Sequence, residues 1–458
     1  MQRVIIIGGG LAGLASATRL AESGFAVEVI EKRSVLGGRA SSFLPPGEPE
    51  PIDNCQHVLL GCCTNLIDFY ERTGVARQIR LFNQLLFLGP KGLSTIGSSA
   101  LPAPFHLLPS LLRFRDLSWP DRLAIGRAMF AILRAREPLP DIPLIGWLCE
   151  QRQTPRAIEY FWRAILTSAL NEDIERLSTR PSFQVFRESF LRNQRGYRMG
   201  VPTVSLGELY AGNLLREKCS LQLESTGAEF LISQELICML RTRNGEEKPA
   251  DFFISAMPPD ALISLLPKPL PREWNFLERF TNFDWSPITG IHLWFEDSVT
   301  DLPYSAVLGR TIQWIFNKSA ISRKPSSPQY LQLVVSASRS LIPMKREEIL
   351  DLVLNELRDL LPKVADAKLL KAVVVKETKS TLSFPAGSDI NRPGPITPLR
   401  NLFLAGDWTS SGWPPTMEGA VRSGYRAAEE VTRAAGKPQS FIVPDLPIAP
   451  LTRLLGNL

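Results

Sequence analysis

Glycines 8, 10 and 13 stand directly behind a short β-branched run, Val4 to Ile7, in the order G-x-G-x-x-G. That spacing carries one chemistry, the cradling of a pyrophosphate. Gly8 permits a tight turn, Gly10 lets backbone approach phosphate, and Gly13 lets the next helix pack on the strand. The helix predicted from Leu11 to about Ser23 turns its N–H groups, starting with Leu11 and Ala12, and its positive dipole end toward the same place. Gly24 ends that helix and Ala26 to Ile30 forms a second strand. Glu31 closes the strand 18 residues after Gly13, near the spacing of roughly 20 expected for the acid that holds a ribose hydroxyl. A carboxylate there suits a free 2′-hydroxyl and disfavours a 2′-phosphate. Strand, glycines, helix, strand and acid in register specify a dinucleotide site. Lys32 adjoins it as a further candidate contact.

Other polar residues stand where they could complete such a site. Gly37, Gly38 and Arg39 follow the ribose acid, and NAD does not require them; alone, Arg39 reads as a surface arginine. Far downstream, Leu402 to Ala405 is a second apolar strand, followed by Gly406 and Asp407. A helix is predicted over 419–434, behind Pro415, Thr416, Met417 and Glu418, with Ala420 in its first turn. Asp407 reads equally as a helix cap or a cofactor contact, because both use the same geometry. Asp53, Gln56 and His57 are polar groups in the apolar stretch IDNCQHVLLGCC. They read either as a turn followed by a buried, satisfied histidine or as acid–base chemistry.

These residues need a scaffold, and 458 residues exceed one compact core. An α/β architecture is predicted, with a discontinuous Rossmann-like dinucleotide domain over 1–100, 200–270 and 395–436. An α+β substrate domain takes 101–199 and 271–394, and 437–458 is a tail. Residues 221–243 read as a β-hairpin region with a strand at 235–239, which contains Ile237, and a turn at Asn244-Gly245. Residues 251–256 form a strand that ends at Ala256 before Met257-Pro258-Pro259. Further strands are predicted at 289–295, 330–337 and 372–377, an amphipathic helix at 346–361 and a loop at 322–328.

Composition excludes several classes. No stretch of 18 uncharged apolar residues is present, so no transmembrane helix is expected. The N-terminus lacks the charged region and cleavage site of a signal peptide. Three histidines and no paired-cysteine spacing argue against a metal site, and the six cysteines read as reduced thiols in the cytoplasm. The charge of +6 comes with no nucleic-acid motif. An anionic membrane suits it better. Residues 103–136 carry six arginines against two aspartates, interleaved with Phe105, Leu107, Leu108, Leu111, Leu112, Phe114, Phe130, Ile132 and Leu133. They read either as helices in a lipid interface or as ordinary covering helices. Ser118 and Asp121 mark a helix start. The tail, FIVPDLPIAPLTRLLGNL, is a second candidate for membrane contact, or packs back on the protein.

The G-G-R at 37–39 resembles the extended fingerprint of the amine oxidase and carotenoid desaturase flavoproteins. IDNCQHVLLGCC, RMGVPTVSLGEL at 198–209, ISAMPPDAL at 254–262 and LAGDWTSSGWPPTMEGAVRSG at 404–424 together resemble the hydroxysqualene dehydroxylases of that superfamily. The resemblance spans nearly the whole chain. It implies FAD, and a Rossmann-like fold of the glutathione-reductase and amine-oxidase type. Gly37, Gly38 and Arg39 would lie along FAD, Gly406 and Asp407 by its phosphates and ribityl chain, and residues 413–418 past the flavin ring. Ile237 and Ala256 complete the implied cofactor set. The implied activity is reductive loss of water from hydroxysqualene to give squalene, with hydride from N5 of reduced flavin and His57, then Asp53, as candidate acids. A carotenoid-type desaturase, and an escort-like protein that binds prenyl lipid without catalysis, are the competing readings. No second G-x-G-x-x-G is present, so NAD(P)H and a redox protein both remain open as electron donor. The implied location is peripheral, on the inner face of the membrane.

Overall fold

Val4, Ile5, Ile6 and Ile7 are all at most 3% exposed, because their strand is covered on both faces. Arg3–Ile7 is the centre of a parallel five-stranded sheet in the order Ser220–Gln222, Ala26–Ile30, Arg3–Ile7, Phe252–Ser255, Leu402–Leu404. Strand side chains alternate faces. Val4 and Ile6 pack under two helices, Leu11–Glu22 and Met417–Ala434, while Ile5 and Ile7 pack against an antiparallel layer. The computed structural model describes residues 1–45, 50–137, 139–211, 217–270, 272–281, 284–322 and 328–456.

The two helices come from opposite ends of the chain and cross backbone to backbone. A Cβ on Gly424 would collide with the carbonyl of Ala12. Ser16 Oγ donates to the carbonyls of Ala12 and Gly424 at 2.9 and 3.0 Å. This crossing brings the N-terminus of each helix to the same edge of the sheet.

The antiparallel layer is Gly227–Ser233, Leu236–Thr242 and Glu247–Pro249. The predicted strand at 235–239 therefore begins one residue late. Gln234 and Glu235 are the hairpin turn, with φ of 49° and 63°, and they carry neither Gly nor Asn to announce it. The second turn is at Asn244-Gly245 as expected, with Gly245 at φ 86°. Residues 220–222 leave this layer and join the edge of the parallel sheet.

A second sheet of seven strands forms the substrate half, ordered Leu369–Leu382, Trp285–Phe295, Gln329–Ser336, Trp314–Asn317, Tyr304–Val307, Gln84–Gly89, Gly92–Gly97. The helix Arg346–Leu360 buries Ile349, Val353 and Leu357 on one face of it, and a helical layer that includes Trp119–Arg134 covers the other. The expected first domain segment, 1–100, is thereby corrected. Residues 84–97 belong to this sheet, because Phe87 and Leu88 pair in parallel with Ala306 and Val307. The predicted strands at 289–295 and 372–377 extend to 285–295 and 369–382, and Ala337 lies beyond its strand. The expected loop at 322–328 falls largely outside the described residues.

The helix at 119–134 starts as its residues predicted: Ser118 N–H donates to Asp121 Oδ2 at 2.7 Å. The tail packs back on the protein. Arg19 donates to Phe441 O at 2.8 Å, Val443 N–H to Asn65 Oδ1 at 2.9 Å, and Thr452 Oγ1 to Leu191 O at 3.0 Å.

Candidate active site

The first helix begins at Gly10 with no side-chain cap and no acidic residue in its first turn. Its leading N–H groups thus face the cavity beside them. Gly10 has nothing nearer than Gly38 Cα, 3.8 Å from a notional Cβ. Gly8 and Gly13 are tight instead: a Cβ on Gly8 would stand 2.8 Å from Ala256 O, and one on Gly13 would collide with Gly8 O. An open glycine between two closed ones, at an uncapped helix N-terminus, is a cradle shaped for a pyrophosphate. FAD fits this donor set.

Glu31 continues the cradle. Its Oε2 accepts from Gly9 N–H at 2.6 Å and its Oε1 from Arg33 N–H at 2.9 Å, which aims the carboxylate along the cavity wall. Lys32 lines the wall beside it. Gly37 and Gly38 have φ of 98° and 63°, and Gly37 N–H donates to Gly9 O at 2.9 Å. This stitches the loop to the first turn, and Arg39 follows into an ion pair with Asp407.

The strand Leu402–Leu404 delivers Gly406 and Asp407 to the same wall. Arg392, 7% exposed, clamps the segment that follows. It donates to the carbonyls of Asp407, Thr409 and Trp413 at 2.7, 2.6 and 2.8 Å. Arg392 is a residue that sequence reasoning missed, and nothing local to it marks it. The helix behind starts at Met417, two residues earlier than predicted, with Thr416 Oγ1 accepting from Gly419 N–H at 3.3 Å. Pro415, Thr416, Met417 and Ala420 line the cavity, as do Leu11, Ala12 and Ala256.

Gly13 packs under Gly8, the role its spacing predicts, and does not line the wall. Two expected cofactor contacts are corrected. Ile237 is 2% exposed in the core below the sheet, its backbone bonded on both sides to Asn401. Glu418 reaches the wall, but its carboxylate is engaged behind it. It accepts from the N–H groups of Asn65 and Leu66 at 3.2 and 2.8 Å and from Arg422 Nε at 2.6 Å. It therefore serves the N-terminus of helix Thr64–Arg72. Ser225, Thr226 and Arg243 occupy the wall near Glu31 in place of Ile237.

The cavity holds about 900 Å³ and is continuous from this cradle into an apolar chamber. The chamber is walled by Leu85, Phe87, Ile165, Phe190, Phe316 and Val334, from both the seven-stranded sheet and its helical cover. Gln56 and His57 stand on its wall.

Asp53, Gln56 and His57 do come together, in a different relation from the expected one. Asp53 is 3% exposed and holds the local turn. It accepts from Ser42 Oγ at 2.7 Å, Leu206 N–H at 2.8 Å and Lys318 Nζ at 3.2 Å. Lys318 also donates to Gln56 Oε1 at 2.8 Å. Lys318 was not foreseen, because it arrives from the other half of the molecule. His57 Nδ1 donates to Cys55 O at 3.0 Å, since a carbonyl can only accept. Burial holds the His57 pKa below its ordinary value, with Lys318 and Arg39 adding to that, against the Cys55 bond and Asp53. At neutral pH His57 is thus an uncharged imidazole whose one N–H is engaged. Asp53 lies behind the cavity wall with its carboxylate oxygens engaged as acceptors.

Comparison with known proteins agrees with this geometry. The profile described as flavin containing amine oxidoreductase matches residues 11–432. The chain is 28% identical to the hydroxysqualene dehydroxylase of Rhodopseudomonas palustris, over 95% of this chain and 99% of that protein. It is 25% identical to the zeta-carotene desaturase of Synechocystis, over 96% and 99%. Among solved structures, an oxidoreductase from Methanosarcina mazei superposes with a TM-score of 0.72 at 17% identity, covering 92% of this chain and 98% of that one. An open cradle at a helix N-terminus, a buried carboxylate beside it and a matching profile over most of the chain lead to one conclusion: this protein belongs to the flavin containing amine oxidoreductase family, and is an FAD-dependent oxidoreductase.

Proposed function

We propose that this protein reduces hydroxysqualene to squalene, with loss of water, at the inner end of the cavity. The observation that carries the proposal is the single cavity itself, which joins a dinucleotide cradle to a chamber of hydrocarbon side chains with a few polar groups on its wall. A long isoprenoid fits such a chamber, and the hydroxysqualene dehydroxylase relatives act on one. Bound and reduced, FAD would supply the hydride.

The residues of the chain do the remaining work. The uncharged His57 offers an acceptor to a substrate hydroxyl, and Gln56, held by Lys318, fixes the backbone from which His57 projects. Aromatic faces, Phe87, Phe316 and Trp314, stand where a developing allylic cation would gain from them. The chamber's apolar lining disfavours water, and a dry site strengthens every such contact.

Delivery from a membrane suits this substrate. Trp119, Leu123 and Phe130 are 62%, 73% and 47% exposed along one side of a helix, and Phe105, Leu108 and Leu112 are exposed beside it. Exposed Arg113, Arg115, Arg127 and Arg134 share the segment. Leu107, Phe114, Ile132 and Leu133 are buried, so the segment covers the core and presents an apolar, basic outer face. No helix among the described residues is long and apolar enough to cross a membrane.

A carotenoid-type desaturation is the second reading, favoured by relatives such as the zeta-carotene desaturase. It would use the same cavity in the oxidative direction. Product analysis separates the two. The FAD-loaded protein under a chemical reductant is expected to convert hydroxysqualene to squalene. Conversion of a phytoene-type polyene by the oxidised protein, with hydroxysqualene untouched, would overturn the proposal.

A further inference from the structure

A hydroxyl leaves carbon poorly unless a proton joins it. His57 has its N–H engaged and Asp53 lies behind the wall, so the donor must be sought elsewhere on the chamber. Of the carboxyls that line the cavity outside the cofactor loops, Asp260 is exposed and Glu377 only half-buried, whereas Glu188 is buried. Glu188 sits in a wide, π-type helical turn, Arg187–Leu191, that also puts Ser189 and Phe190 on the wall. Such turns break helical regularity and recur at functional sites. The turn lies against the segment after His57, with Ser189 Oγ 3.3 Å from Cys62 Sγ.

Building on the dehydroxylase reading, we propose that Glu188 is the catalytic acid, which hydrogen-bonds the substrate hydroxyl and protonates it as it leaves. The carbon–oxygen bond breaks with its electron pair on oxygen. That oxygen takes the Glu188 proton and departs as water, and the carbon accepts hydride from reduced flavin. Glu188 is left as carboxylate, beside the Arg192 side chain that bonds its Oε1. An external two-electron donor would restore reduced FAD, and Glu188 regains its proton from water.

The surroundings support both protonation states. Glu188 is 6% exposed, and its pKa is raised. Burial is the main cause and Asp445 of the tail adds to it, while Arg192, Arg422 and Arg187 oppose it. Arg422 is itself held by Glu418 and Asp445, so Arg192 on the same turn is the direct counter-ion for the carboxylate. A saturated or polyene hydrocarbon has nothing to offer a buried carboxyl, whereas an alcohol has. This makes Glu188 a specificity residue for an isoprenoid alcohol as well.

The test compares the FAD-loaded wild type with Glu188→Gln and Glu188→Asp, pre-reduced without oxygen and mixed with hydroxysqualene across neutral and alkaline pH. Wild-type reoxidation is expected to fall as pH rises, because the active form is protonated. Glu188→Gln should be about 100-fold slower or worse and lose that pH limb, and Glu188→Asp should restore part of both. A second readout needs no turnover: infrared difference spectra of oxidised enzyme with and without hydroxysqualene. A protonated carboxyl band that shifts on binding is expected in the wild type, altered in Glu188→Asp and gone in Glu188→Gln. Wild-type rate and pH profile in Glu188→Gln would overturn the assignment while leaving the dehydroxylase reading intact. A wild type inert to hydroxysqualene would sink that reading instead. Should Glu188→Gln fail to fold, a wild-type spectrum without a substrate-sensitive carboxyl band overturns the assignment by itself.

Discussion

Single residues decide how the cofactor is held. Arg39 and Asp407 stand 368 positions apart and form an ion pair at the cavity wall. Asp407→Asn is expected to weaken FAD retention by about ten- to a hundredfold, since a charge-assisted contact is worth roughly 1.5–3 kcal/mol. Fluorescence titration of the apoprotein with FAD would show it, and unchanged affinity would make Asp407 a loop residue only. Lys318 is 12% exposed at its side chain and its partner Asp53 is 3%. Lys318→Met would leave Asp53 buried and uncompensated, at about 3 kcal/mol of stability. Denaturant unfolding measures that loss, and a change within about 0.5 kcal/mol would show the pair to be dispensable. Residues that act through backbone spacing were legible in the sequence as a group: Gly8, Gly10, Glu31 and Asp407 line one cavity. Lys318, Arg392 and Glu188 were not, because their roles arise only when distant segments meet. Glu418 was misassigned for the same reason. Its position at a helix start suits a cofactor contact, but the neighbouring helix supplies closer donors.

Elements assemble the two halves of the site. The crossing of helices 11–22 and 417–434 depends on Gly424. Gly424→Ala pushes the helices apart at Ala12, which itself lines the cradle. Overpacking of this kind costs about 1–3 kcal/mol, so the variant is expected to melt earlier and to lose FAD on dilution. Retained FAD and an unchanged midpoint would show that the crossing relaxes freely. The parallel sheet was readable because strands buried on both faces are continuous apolar runs. The hairpin at Gln234-Glu235 was not, since its left-handed turn lacks the usual residues. Residues 84–97 were placed in the wrong half because a strand's sequence does not name its partner sheet.

Across the whole molecule, two buried histidines link stability to pH. Burial holds His106 at about 4 and His292 at about 3, both below an ordinary 6.5. The folded protein therefore binds fewer protons than the unfolded chain. Stability falls as pH drops below about 6.5, and continues to fall until those lower values are passed. Neither ring nitrogen of His106 has a hydrogen-bond partner, so His106→Phe removes no bond and should flatten the acid limb. An identical acid midpoint in that variant would exonerate His106. The exposed apolar face is a second whole-molecule property. Replacing Phe105, Leu108 and Leu112 with serine is expected to lower binding to anionic liposomes by tenfold or more, since each side chain buries about 1 kcal/mol or more in lipid. Undiminished binding would confine this segment to covering the core.

The central claim is that one cavity couples reduced flavin to an isoprenoid alcohol. Its most direct test is a single turnover without oxygen: FAD-loaded protein, reduced beforehand, mixed with hydroxysqualene while flavin absorbance is followed and the lipids are extracted. The account predicts flavin reoxidation with squalene formed in equal amount. Flavin that stays reduced over intact hydroxysqualene would contradict it.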